Sequence, residues 1–127
     1  MIYFSFNQVQ KIHTALIKET GGIDGIRDTG LLDSSLQAIF QNFSGHNLYP
    51  SIADKVSQLS YSIIKNHPFL DGNKRIGVHL MLLFLQLNKI NIVYTQEQLI
   101  NLGLGIASGN LGKEDIKNWI SKGYYKC

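Results

Sequence analysis

The groups in this chain best equipped for chemistry fall in one run, His67-Pro68-Phe69-Leu70-Asp71-Gly72-Asn73-Lys74-Arg75. Gly72 closes a loop where backbone can approach a ligand with no side chain in the way. The helix predicted to start at Asn73 opens with N–H groups that lack internal partners and carry the positive end of the helix dipole. Such a start attracts anions before any side chain is counted. Asn73 adds an amide donor, and Lys74 and Arg75 add two cations. Asp71 supplies the opposite charge. A lone carboxylate beside phosphates suits Mg2+, which takes one or two carboxylates plus phosphate oxygens. His67 brings an imidazole able to accept a proton from an attacking hydroxyl. Base, metal ligand and polyphosphate cradle together describe transfer of a group from a nucleotide to a hydroxyl.

Each residue alone also has an ordinary structural explanation. A histidine before a helix caps or packs, Asp-Gly is a common turn, and Lys-Arg in a first turn is commonly a solvated face. Cations at a helix start oppose its dipole, however, and none of these explanations accounts for the whole set falling in one segment.

The elements that must position this segment are marked by helix punctuation. Ser5-Phe6-Asn7-Gln8 and Thr95-Gln96-Glu97-Gln98 read as capping boxes. Val9, Ile12, Leu16 and Ile17 follow the first at helical spacing until Gly21-Gly22 stops the helix. After a loop at 22–29, Asp28 or Thr29 caps a second helix through Leu32, Leu36, Ile39 and Phe40. Residues 42–50 read as another loop. Pro50-Ser51 opens a third helix with Ile52, Val56, Leu59, Ile63 and Ile64 on one stripe. It must end near His67, because Pro68 disfavours a helical residue before it. A fourth helix, from about Asn73 to Asn88, is apolar on nearly every face, as a helix surrounded by others would be. Two more run from the Thr95 box to about Ala107 and from Lys113 to Lys122. Only Ile92-Val93-Tyr94 reads as extended. The expectation is an all-α bundle of about six helices around a central apolar helix, a single domain over residues 1–127.

Composition agrees. The 127 residues are 44% hydrophobic, enough for a packed core, and only 17% charged. The net charge of +3 comes from lysines scattered between Lys11 and Lys126, and no helix shows a basic, base-reading face. Direct nucleic-acid binding is therefore not expected. The single cysteine, Cys127, allows no internal disulfide, which fits a reducing cytoplasm. The first residues lack the pattern of a signal peptide. The most apolar stretch, Val78 to Leu87, spans roughly 15 Å as a helix, about half of a bilayer core, so no membrane span is expected.

The His67–Arg75 run resembles the Fic/Doc signature, and more closely its death-on-curing branch, His-x-Phe-x-Asp/Asn-Ala/Gly-Asn-Lys-Arg. The likeness continues through the Gly21-to-Leu32 loop and helix start, the helix before His67, Phe84-Leu85-Gln86-Leu87-Asn88, and the Ala107-Ser108-Gly109 turn. The resemblance implies an all-helical bundle with the motif between two core helices. It makes His67 the catalytic base and Asp71 the Mg2+ ligand. Gly72, Asn73, Lys74 and Arg75 take the phosphate-holding positions, and Phe69 is the apolar anchor pinning the loop. It also places a flap that aligns the target peptide near His46 and Tyr49, where an ordinary surface loop is the alternative.

Lys74 separates two activities within the resemblance. Adenylyl-transferring Fic enzymes have glycine there and a second arginine three residues after the first; this chain has Lys74 and Val78. In the death-on-curing branch, the lysine form goes with ATP held the other way round, its γ-phosphoryl group facing the target hydroxyl. The implied activity is a protein kinase acting on a Ser/Thr hydroxyl of the elongation factor Tu class, inhibiting translation. The alternatives are AMP transfer and a catalytically silent binding module. The self-inhibitory pattern Ser/Thr-x-x-x-Glu-Gly/Asn is not met, since Glu19, Glu97 and Glu114 precede Thr20, Gln98 and Asp115. The branch resemblance instead implies a cytoplasmic toxin held by an antitoxin whose disordered tail folds on binding. Of the remaining candidates, His79 and Trp119 are expected in the core and Asp28 as a helix cap. Arg27 has no assigned role, and Gly77, which costs a helix about 1 kcal/mol against alanine, has no evident reason.

Overall fold

The computed structural model describes residues 1–125; Lys126 and Cys127 lie outside the described residues. Six α-helices follow one another: α1 Phe6–Thr20, α2 Thr29–Gln37, α3 Ile52–Asn66, α4 Asn73–Leu87, α5 Gln96–Ser108 and α6 Lys113–Gly123. The capping boxes at Ser5 and Thr95 are present with both reciprocal hydrogen bonds. Ser51 and Asp54 form a third at the start of α3. Asp28 caps α2 by accepting the Leu31 N–H at 2.9 Å.

The architecture is all-α. Its core is one cluster drawing on every helix, from Val9 and Leu36 through Ile63, Leu80 and Phe84 to Ile106 and Ile120. α3 is as central as the apolar α4: it packs against α2, α4, α5 and α6, while α4 packs against α1, α3 and α5. α3 and α4 form a helical hairpin, and the motif loop, residues 67–72, is its bend. Gly77 lies at a close contact between these two helices. A Cβ there would stand 2.5 Å from Ile64 Cγ1, and the Ser60 hydroxyl donates to the Gly77 carbonyl at 3.1 Å. Close approach is therefore the reason for glycine at this position. Among the described residues, no helix is long and apolar enough to cross a membrane.

The extended segments differ from the sequence expectation. Strands β1 Asn42–Phe43 and β2 His46–Asn47 pair as an antiparallel hairpin where a loop is predicted. Ser44 and Gly45, both at positive φ, form the two-residue turn whose twist suits a hairpin. β3 Asn91–Ile92 pairs with β4 Tyr124–Tyr125, a long-range partnership that local pattern cannot reveal. His79, expected in the core, is exposed on α4. It falls on the face looking into the groove between α1 and α5. Trp119 is half-buried, its ring 5.8 Å from that of Tyr94.

Candidate active site

The motif loop is built from the inside out. Phe69 is 1% exposed and anchors the loop as expected, its ring stacked on that of His13 at 3.8 Å. Asn73, 8% exposed, closes a ring on the same residue. Its Oδ1 accepts the Phe69 N–H at 2.9 Å, and its Nδ2 donates to the Phe69 carbonyl at 3.0 Å. The reading of Asn73 as an amide donor is corrected in part: Oδ1 and one Nδ2 proton are committed to the loop, and the backbone N–H is open to an anion. Gly72 is also corrected in its reason. It adopts the left-handed conformation, φ 74°, and a Cβ on it would point at Ile17 and His13 of α1, not outward at a ligand.

The segment before α2 zips onto the loop. Ile26 and Phe69 form an isolated β-bridge, the Leu70 N–H donates to the Gly25 carbonyl, and the Arg27 and Asp28 N–H groups both donate to the Pro68 carbonyl. Arg27 then reaches the end of α3, donating from Nε to the His67 carbonyl at 2.6 Å and from Nη2 to the Asn66 carbonyl at 2.7 Å. His67 needs this support, since it caps α3 with φ 52°, a conformation uncommon for a residue with a Cβ.

On the outer side, His67, Asp71, Gly72, Asn73, Lys74 and Arg75 line one cleft of about 400 Å3. His67 is exposed there and does not point into the core. Among the described residues, the N–H groups of Asn73, Lys74 and Arg75 have no partner in the chain, and the ladder of α4 starts with Ile76 N–H on the Gly72 carbonyl. The helix start is open.

The Asp71 carboxylate accepts the Ile23 N–H at 3.1 Å through Oδ2 and the Gly72 N–H at 2.8 Å through Oδ1. These two bonds, with the Arg75 charge beyond them, hold it below the usual carboxylate range, so it is ionised at neutral pH. The two cations differ in their ties. Arg75 donates from Nη1 to the Thr20 hydroxyl and to the Gly21 carbonyl, fastening the end of α1. Lys74 is exposed, its stem lying against Gly103 of α5. Both also border a groove of about 480 Å3 walled by Leu16, Val78, Leu82 and Leu99.

The hairpin is placed elsewhere. The Tyr49 carbonyl accepts from Lys55 near the start of α3, and Lys113 Nζ sits 5.6 Å over the Tyr49 ring. His67 caps the other end of that helix, about 22 Å away for fifteen residues. His46 is exposed in the hairpin just before Tyr49, and neither residue lines the motif cleft. Of the two readings of this segment, target-aligning flap or ordinary surface loop, its root at the end of α3 opposite His67 favours the loop.

No motif marks His13. Its signal was available only as register: it shares a stripe with Val9 and Ile17, and all three are buried.

Comparison with known proteins agrees with this arrangement. A profile of the Fic/DOC family matches residues 3–85, which takes in α1 through most of α4 and the whole motif loop. The chain is 35% identical over 72 residues to "Toxin Doc" of Mycolicibacterium smegmatis, a match covering 57% of this chain and about half, 55%, of that protein. It is 26% identical over 127 residues to "Protein kinase doc" of Escherichia phage P1, covering 98% of this chain and 97% of that protein. With its signature loop set between two core helices and the family profile spanning most of the chain, this protein belongs to the Fic/DOC family.

Proposed function

We propose that this protein is a Doc-type toxin that transfers the γ-phosphoryl group of ATP to a serine or threonine hydroxyl of a protein target of the elongation factor Tu class. The observation that carries the reading is the open start of α4. Three unpartnered N–H groups and two cations face the cleft that also holds the exposed His67. Backbone donors at a helix start bind phosphate oxygens, Lys74 and Arg75 neutralise their charge, and the adjoining apolar groove offers the nucleoside a wall. His67 takes the proton of the target hydroxyl. The hydroxyl oxygen forms its bond to the γ-phosphorus, the bond to the β–γ bridging oxygen breaks, and ADP leaves. The names of the two relatives support the reading, one being called a toxin and the other a protein kinase.

Mg2+ fits the site through a single protein ligand. Asp71 is ionised and half-buried beside the helix start, and each of its oxygens accepts only one hydrogen bond among the described residues. No group of three or more metal-binding side chains exists among the described residues, so phosphates and water would complete the shell. When bound, the ion would neutralise phosphate charge.

Lys74 and Val78 favour phosphoryl over AMP transfer. A lysine fills space that glycine would leave to the nucleotide phosphates, and the second arginine is absent. Intact-mass spectrometry of elongation factor Tu after incubation with the protein, ATP and Mg2+ is the test. A gain of one phosphate that His67→Ala abolishes is the expected result. A gain of AMP, or no gain from any protein substrate, refutes the reading. As a toxin it would need a restraining partner, for which we propose an antitoxin with a tail that folds on binding. Expression alone should arrest growth, and His67→Ala should relieve the arrest.

A further inference from the structure

We infer that His13 is a positioning residue of the site, holding the peptide that carries the Asp71 carboxylate. It is the one histidine among the buried residues, 1% exposed, and the transfer chemistry does not use it. Its ring is bound on three sides. One face stacks on Phe69 at 3.8 Å and 12°. Nε2 lies 2.8 Å from the Asp71 carbonyl. Nδ1 faces Asp24 Oδ1 at 3.5 Å, and the same oxygen accepts the Thr14 hydroxyl at 3.0 Å.

A carbonyl only accepts, so Nε2 must carry a proton. That bond fixes the Asp71–Gly72 peptide at the point where the chain turns left-handed into α4. Three contacts then define Asp71: its carbonyl is held by His13, and its two carboxylate oxygens by Ile23 and Gly72. Without the first, the Asp71–Gly72 peptide keeps only the local bond from its own N–H to the Asp71 carboxylate, and nothing outside the loop holds its carbonyl side. The opening N–H groups of α4 follow that peptide, so His13 sets the direction of the anion site from beneath it.

The inference rests on the phosphoryl-transfer reading only for its kinetic arm; the structural arm is independent of it. The variants are His13→Leu, which removes the donor, and His13→Gln, whose terminal amide can place a donor near the position of Nε2. In the wild type, the ring nitrogen spectrum should show a protonated, slowly exchanging Nε2. In His13→Leu the Ile23 and Gly72 amide resonances should move, and the Gly72 amide should exchange at least tenfold faster. His13→Gln should restore most of both changes. In the kinetic arm, His13→Leu should lower kcat for phosphate transfer 10- to 100-fold, with a much smaller change in the KM for protein substrate. His13→Gln should recover to within a few-fold. An Nε2 without a proton, or a folded His13→Leu whose Ile23 and Gly72 amides are unmoved, overturns the inference whether or not phosphate is transferred. A wild type silent in transfer but with the expected amide behaviour instead removes the phosphoryl-transfer reading and leaves His13 in place.

Discussion

Asn73 holds Phe69 by both ends of its backbone unit, the N–H at 2.9 Å and the carbonyl at 3.0 Å, from a side chain buried at the first residue of α4. Removing it strands a buried donor and a buried acceptor. Asn73→Ala should therefore destabilise the fold by about 2–3 kcal/mol, read as a lower urea midpoint at unchanged slope. Asn73→Asp should be no better, because it turns an acceptor toward the Phe69 carbonyl. An Asn73→Ala protein of wild-type stability would show that these two bonds do not hold the loop.

Arg27 should behave differently. It is exposed, and its two bonds run to carbonyls at the end of α3, one of them belonging to His67. Arg27→Ala should cost about 1 kcal/mol of stability, the lower end for bonds to a charged group open to solvent. Phosphate transfer should fall at least tenfold with the nucleotide KM nearly unchanged, because the imidazole, not the phosphate cradle, loses its support. Arg27→Lys, which cannot span both carbonyls, should recover little.

The contrast between these residues shows what the sequence made legible. The helix starts could be read because a capping box is a four-residue event, and so could the motif, because its groups are contiguous. Arg27 and His13 could not be assigned, since their partners lie 40 and 58 residues away. The loop-holding role of the Asn73 side chain is hidden for the same kind of reason. An amide at a helix start is an anion donor until the loop before it is known to curl back within reach. Tyr49 lies at the opposite end of α3 from His67, a separation set by the length of that one helix. The hairpin itself hid in Ser44-Gly45, a weaker turn signal than Asn-Gly.

Gly77→Ala sets helix propensity against packing. Alanine favours the helix by about 1 kcal/mol. The added methyl would stand 2.5 Å from Ile64 Cγ1 and 3.3 Å from the Ser60 carbonyl, against α3. Overpacking of this kind costs about 1–3 kcal/mol; the Ile64 Cδ1 methyl, 3.1 Å away, can turn aside, but Cγ1 beside its branched Cβ and the Ser60 backbone cannot do so without moving the helix. The variant should have a lower thermal midpoint than wild type; a higher one would mean that α3 and α4 can separate at little cost.

Acid sensitivity should report on Asp54. Burial pushes its carboxyl up, but hydrogen bonds from Lys117 and Ser51 outweigh this and hold it below its ordinary value of 3.8. The Lys117 ammonium is 2.8 Å away. As pH falls, the unfolded chain takes up this proton first, so the contribution is complete above about 3.8 and is lost as pH drops through the lowered folded value. Asp54→Asn should flatten the acid limb of the stability profile below pH 4, measured by urea unfolding across pH. An unchanged limb would show that the Lys117 pair and the capping box contribute nothing.

Lys74 and Arg75 carry the same charge at the same helix start, yet their substitution should read out differently. Lys74 is exposed and has no hydrogen-bond partner among the described residues, and only its stem touches α5. Lys74→Ala should leave stability within about 0.5 kcal/mol and raise the KM for ATP roughly tenfold, the cost of one lost charge-assisted contact to phosphate. Arg75 also fastens the Thr20 hydroxyl and the Gly21 carbonyl at the end of α1. Arg75→Ala should therefore lose about 1–2 kcal/mol of stability as well as nucleotide affinity, and free phosphate or ADP should protect the wild type against thermal unfolding more than either variant. If Lys74→Ala weakened the fold while Arg75→Ala spared it, the tether would belong to the other residue, and the phosphate end of the cleft would have to be rebuilt around Arg75 alone.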